Sequence, residues 1–202
     1  MAADAGADLV GMVGPMPSGA GVIDLGTARG IAERAAPWVT PVLLSSGETA
    51  EAIAADVAAC PVRCVQIVRH VDPEVHRALA RRLPGLRRIQ AVHVEGPEAL
   101  ALIPRYAGLV DAFLLDSGRP GAHELGGTGR VHDWRVSAEF VRRSPVPVFL
   151  AGGLRPENVA RAVETVRPFG VDLCSGVRTE NRLDRGKLHA FMAAARLAGG
   201  AP

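Results

Sequence analysis

The sequence lacks several things, and each lack removes a class of function. No apolar stretch among its 202 residues approaches the roughly 20 that a membrane-crossing helix needs. No basic run carries interleaved aromatics, and aromatic residues make up only 4% of the chain, which argues against nucleic-acid binding. The formal net charge is +2, so charge balance points to no partner. Lys187 is the only lysine; the other cations are arginines. The opening Met1-Ala2-Ala3-Asp4 has neither the cationic segment nor the apolar core of a signal peptide, so the cytoplasm is the expected compartment. Cysteine is scarce: Cys60, Cys64 and Cys174, an odd count that fits reduced thiols. Cys60 and Cys64 have no second Cys or His pair at zinc spacing and are read as structural. The histidines, His70, His76, His93, His123, His132 and His189, form no i, i+4 pair with a helper carboxylate. No metal site is therefore expected.

What is present is a regular alternation. The chain is 48% apolar, with 23 glycines and 15 prolines spread along it, as in one domain (1–202) with many short connections. Short apolar runs predict strands at Asp8–Val13, Val39–Ser45, Cys64–Val68, Arg88–Val94, Ala112–Asp116, Val146–Ala151 and Val171–Cys174. Several are apolar throughout, as strands covered on both faces are. Between them lie helical patterns. Thr49–Ala59 places Ala50, Ile53, Ala54 and Val57 on one face, and Asp72-Pro73-Glu74 caps a helix carrying Val75, Leu79 and Leu83. Pro156-Glu157 opens another, and Leu188, Phe191 and Met192 mark the last. His76 and His189 are read as helix-surface residues, whereas His93 could face a barrel mouth.

Seven β/α alternations without a hairpin signal predict an α/β fold with a parallel sheet. Periodicity alone leaves open a doubly wound sheet or most of a (β/α)₈ TIM barrel. Residues 1–7 read as the end of a helix and its Gly stop, so an eight-fold barrel would lack its first strand and most of its first helix. Two unpaired edges would then invite pairing with another chain, giving a homodimer or poor solubility if nothing else closes the gap.

Three strand ends carry candidate chemistry. Asp116 closes Phe113-Leu114-Leu115-Asp116, a position suited to general acid or base work and equally to a cap or salt bridge. Gly126-Gly127-Thr128-Gly129 offers backbone N–H groups to an anion, or is a plain turn. Ala151-Gly152-Gly153-Leu154 and Ser175-Gly176-Val177 end successive strands, the usual phosphate site of barrels of this kind. Asp172 is a further, weaker carboxylate candidate.

These blocks together resemble the phosphoribosylanthranilate isomerase family of tryptophan biosynthesis. Leu114-Leu115-Asp116, Gly126-Gly127-Thr128-Gly129 and Asp133-Trp134 are similar to that family's strand-six aspartate, glycine loop and Asp-Trp pair. Leu150–Val159 and Gly170–Val177 resemble its strands seven and eight, and Ala5–Gly11 its entry into strand two. The resemblance implies a TIM barrel that performs an Amadori rearrangement of N-(5-phosphoribosyl)anthranilate without metal or cofactor. It implies Asp116 as general acid, a phosphate site at Gly127, Gly129, Gly152, Gly153, Ser175 and Gly176, and Asp172 lining the substrate pocket.

Departures sit on the other side of the site. The family's base is a cysteine in a Cys-Gly pair ending strand one, and this sequence has no Cys-Gly pair. Ala20 stands where the family has an arginine that pairs with the anthranilate carboxylate. Arg69 falls within the strand-four motif, and Arg178 replaces a glutamate. The alternative expectation is a non-catalytic or repurposed sugar-phosphate-binding barrel.

Overall fold

The computed structural model describes residues 1–16, 21–118 and 131–200. Residues 2–7 close a helical turn: the Ala7 N–H bonds the Ala2 carbonyl and the Gly6 N–H that of Ala3. Gly6 takes φ +88°, the left-handed stop that a side chain would resist. Strand β1 (Leu9–Val13) follows directly.

Six further strands lie in sequence order: β2 (Thr40–Ser45), β3 (Cys64–Ile67), β4 (Arg87–His93), β5 (Ala112–Asp116), β6 (Val148–Leu150) and β7 (Gly170–Val171). Each pairs in parallel with the next, giving one seven-stranded sheet with β1 and β7 at its edges. Helices return the chain between strands: α1 (Leu25–Glu33), α2 (Ala50–Ala59), α3 (Pro73–Arg82), α4 (Leu102–Tyr106), α5 (Trp134–Arg143) and α6 (Val159–Val166), with α7 (Arg185–Gly199) last. This is a TIM-type (β/α) barrel short of one strand, as the sequence led us to expect.

Local chemistry accounts for the helix starts. Asp24, Thr49, Asp72, Asp133 and Asp184 each accept a first-turn N–H with their side chain, and Pro73 supplies a preset φ at the head of α3. The helix expected to open at Pro156 begins at Val159 instead, after a turn capped by Asn158. β7 is shorter than the predicted run because its ladder to β6 ends at Val171, with one more bond from the Asp172 N–H to the Leu150 carbonyl. A small hairpin, β8 (Arg178–Thr179) with β9 (Arg182–Leu183), was not expected. Its turn uses Glu180 and Asn181 at φ 50° and 62°, a conformation usually announced by glycine.

Side chains alternate across the sheet. Val42, Cys64, Ile89, Ala91, Ala112, Leu114 and Ala151 form the barrel interior. The outer face packs on the helices, most heavily where Tyr106, Phe113, Phe140, Leu150 and Phe191 meet between β5, β6 and α4–α7. His76 corrects its reading as a surface residue. It is fully buried, with Nε2 2.8 Å from Gln90 Oε1, and burial pushes its pKa down to about 4. Cys60 and Cys64 are buried free thiols, and burial pushes Cys64 up to about 11. Among the described residues no helix is long and apolar enough to cross a membrane.

Candidate active site

The register of the sheet places the candidate residues at one end. The Val94 N–H bonds the Asp116 carbonyl (2.9 Å), the Ala151 N–H the Leu115 carbonyl (2.7 Å), and the Asp172 N–H the Leu150 carbonyl (2.8 Å). The C-terminal ends of β4 to β7 therefore stand level. Ala112 and Leu114 face the interior, so strand alternation turns Asp116 to the same side. One recess is lined by Asp116, Gly152, Gly153, Asp172, Cys174 and Ser175, with Ala151, Leu154 and Leu173. Five predicted site residues thus come together: Asp116, Gly152, Gly153, Asp172 and Ser175. Gly176 follows directly, and a Cβ there would run into the Leu154 carbonyl, so this turn packs backbone on backbone. Gly127, Gly129, His123 and Ala20 lie outside the described residues.

The turn after β6 depends on glycine. Gly152 and Gly153 have φ +83° and +62°. Asn158 clamps the turn, its Nδ2 donating to the Gly153 carbonyl (3.0 Å) and its Oδ1 accepting from the Arg155 N–H (2.8 Å). Glycine turns of this kind bring main chain close to a ligand and aim N–H dipoles at an anion.

The two carboxylates line the same recess. Burial raises the Asp116 pKa, opposed by the Ser117 N–H, which donates to its Oδ1 at 2.7 Å. Asp172 is pushed up to about 6, first by the surrounding protein and then by the Asp116 charge, although its side chain keeps contact with solvent. A carboxyl whose pKa is raised keeps its proton further up the pH scale, which favours proton donation to a substrate oxygen.

Histidines stand near this recess without lining it, and sequence reasoning underrated them. His93 is in register with Asp116 on the neighbouring strand and is buried, its Nε2 2.9 Å from the Val68 carbonyl. The ring of His70 stands 5.3 Å from that of His93, and its pKa is pushed down to about 4 by burial. His132 was not singled out at all. Its Nε2 lies 2.7 Å from Ser137 Oγ, and its buried Nδ1 has no partner and sits 2.9 Å from where a Gly152 Cβ would be. The only sequence signal for it was its place just before Asp133-Trp134. Among the described residues no group of His, Cys, Asp or Glu is arranged to hold a metal.

Residues 33–194 match the family model for N-(5'-phosphoribosyl)anthranilate (PRA) isomerase. The N-(5'-phosphoribosyl)anthranilate isomerase 2 of Methanosarcina mazei is 36% identical over 182 residues, 90% of this chain and 80% of that protein. A solved phosphoribosyl anthranilate isomerase in complex with reduced 1-(o-carboxyphenylamino)-1-deoxyribulose 5-phosphate superposes with a TM-score of 0.77. It is 28% identical, with 96% of this chain and 90% of that one covered. Mutant monomers of the dimeric Thermotoga maritima isomerase give a TM-score of 0.78 at 27% identity, covering 96% and 90%.

Proposed function

The chain belongs to the N-(5'-phosphoribosyl)anthranilate isomerase family, and from that premise we propose that it is an aldose–ketose isomerase converting N-(5'-phosphoribosyl)anthranilate to the carboxyphenylamino-deoxyribulose phosphate. The observation that carries the assignment is the single recess that unites the two glycine turns with Asp116 and Asp172.

In this reading the phosphate seats on the turns at Gly152, Gly153, Ser175 and Gly176, helped by Gly127 and Gly129. Asp116 is the general acid. Its raised pKa keeps the carboxyl protonated further up the pH scale, ready to donate to the ribose ring oxygen. As that oxygen takes the proton, the C1–O bond breaks and the anthranilate nitrogen lone pair forms the iminium. A base then removes the proton from C2. The C–H electrons form the C1–C2 enolamine and neutralise the nitrogen, and tautomerisation gives the ketose. Asp172 lines the same recess. Two proton-transfer groups are enough for this chemistry.

The resemblance gives the base as a cysteine, and the described thiols fit that role poorly. Cys60 and Cys64 are buried in the fold, and only Cys174 lines the recess. This favours one second reading, a sugar-phosphate binder without turnover. The chain acts as a single domain, in the cytoplasm, with the two open strand edges favouring a homodimer.

The two readings separate in one assay. We expect turnover of phosphoribosylanthranilate, followed by anthranilate-type fluorescence, to fall about 10²- to 10⁴-fold in Asp116→Asn. Ribose 5-phosphate binding should persist in that variant. Binding with no turnover at high enzyme concentration would select the second reading.

A further inference from the structure

The isomerase reading, on which this inference rests, names an acid and no base. The reaction needs a group that takes the proton from C2 while Asp116 works at the ring oxygen. Such a group must reach the substrate, so it belongs among the side chains that line the recess. Besides glycines and apolar residues these are Asp116, Asp172, Cys174 and Ser175. Ser175 seats the phosphate in this reading. Cys174 lies beyond the end of the β6–β7 ladder, where no register aims its side chain.

The register of the sheet sets Asp172 across from Asp116. Leu115 pairs with Leu150, and Leu150 with Val171. The residues that follow them, Asp116, Ala151 and Asp172, therefore form one row over the ends of β5, β6 and β7. Leu115, Leu150 and Val171 pack on the outer cluster, whereas Ala151 belongs to the interior one. Strand alternation turns all three members of the row inward. With neighbouring strands about 5 Å apart, the two acids are separated by roughly 10 Å at the main chain. Only the Ala151 methyl lies between them, so a sugar entering the recess has one carboxyl group on each side.

Neither acid has an answering cation: no ion pair among the described residues uses Asp116 or Asp172. A charge on one disfavours a charge on the other, so between their two ionisations the pair consists of one carboxyl and one carboxylate. Asp172 is also exposed, within reach of an entering substrate. We propose that Asp172 is the base, its carboxylate taking the proton from C2 of the ring-opened iminium. The C2–H bond breaks, its electron pair forms the C1–C2 double bond, and the iminium electrons return to nitrogen. Ketonisation then restores both acids. Asp172 delivers its proton to C1, and Asp116, ionised since ring opening, accepts the proton of the C2 hydroxyl. No further reactant is needed.

Steady-state kinetics of the full chain, with phosphoribosylanthranilate carrying hydrogen or deuterium at C2, test this. Asp172→Asn should lower kcat about 10²- to 10⁴-fold and leave ribose 5-phosphate affinity, read by calorimetry, unchanged. The turnover that remains should be slower with the deuterated substrate, because C2–H cleavage then limits the rate. Asp116→Asn should lose turnover without that sensitivity, since ring opening limits it. Asp172→Glu should keep part of the rate with the same response to deuterium, and it carries the test if the asparagine variant does not fold or does not turn over. Three results overturn the proposal: kcat of Asp172→Asn within about tenfold of the unaltered protein, residual turnover of either Asp172 variant that is blind to deuterium, or ribose 5-phosphate binding lost along with turnover. Any of these, with the unaltered protein active, strikes the base assignment alone. No turnover in the unaltered protein overturns the isomerase reading itself.

Discussion

The two flanks of the sheet differ in completeness. From β4 to β7 the strands are paired, the helices are packed on one large aromatic-rich core, and the strand ends stand level around the recess. At β1 the sheet stops. Leu9 is 37% exposed and Gly11 is open to solvent, although strand alternation assigns both to the interior face. At the opposite edge Phe169 is 70% exposed, resting edge-on against Phe149 at 5.4 Å. The paired flank carries the described residues proposed for phosphate binding and acid catalysis: Asp116, Gly152, Gly153, Ser175 and Gly176. Of the departures from the family pattern, Arg69 follows β3 and Arg178 follows the turn after β7. Function and packing are thus concentrated together, and substitutions should have sharply unequal effects on the two sides.

A matched pair of phenylalanines tests that inequality with the largest contrast. Phe113 is fully buried with its ring 5.2 Å from Phe140, so Phe113→Ala should cost about 3–5 kcal/mol in denaturant unfolding. Phe169→Ser on the open edge should change stability by no more than about 0.5 kcal/mol and should improve solubility. Similar losses at both positions would mean that the open edge is covered in solution.

The pH dependence of stability is the next effect in size. His76 is fully buried on the β3–β4 side with a pKa near 4, below its unfolded value of about 6.5. The unfolded chain takes up a proton first, so stability is complete above about pH 6.5 and declines as pH falls toward 4. The loss attributable to His76 is up to about 3 kcal/mol. Asp172 acts in the opposite sense, because a raised carboxyl pKa favours the folded state on the acid side. In urea titrations at several pH values, His76→Gln should flatten the acid loss and Asp172→Asn should steepen it. An unchanged slope in His76→Gln would contradict this account.

The smallest of these effects concerns the phosphate turn. Gly152→Ala forces a side chain into φ +83° and places a Cβ 2.9 Å from His132 Nδ1 and 3.0 Å from the Ser117 N–H. It should cost about 1–3 kcal/mol and weaken ribose 5-phosphate binding as the turn shifts. Unaltered binding would mean that the anion sits elsewhere.

Much of this was legible in the sequence, and unevenly so. The run Ala112–Asp116 predicted β5 to the residue, because a buried parallel strand is apolar until its functional end. The Gly152-Gly153 pair pointed to the turn after β6, because its positive φ values favour glycine. His76 was misread because helical periodicity tells which residues share a face but not that a polar partner, Gln90, waits beneath that face. His132 was invisible because its importance arises from packing against Gly152, distant in sequence. The β8–β9 hairpin escaped notice because Glu180-Asn181 is an unusual choice for its turn.

The central claim is spatial, and a crystal structure of the chain with reduced 1-(o-carboxyphenylamino)-1-deoxyribulose 5-phosphate tests it most directly. The account predicts the phosphate within hydrogen-bonding reach of the main chain at Gly152–Gly153 and Ser175–Gly176, with the sugar facing Asp116. A phosphate bound away from these turns, or an Asp116 carboxyl turned out of the recess, would contradict it.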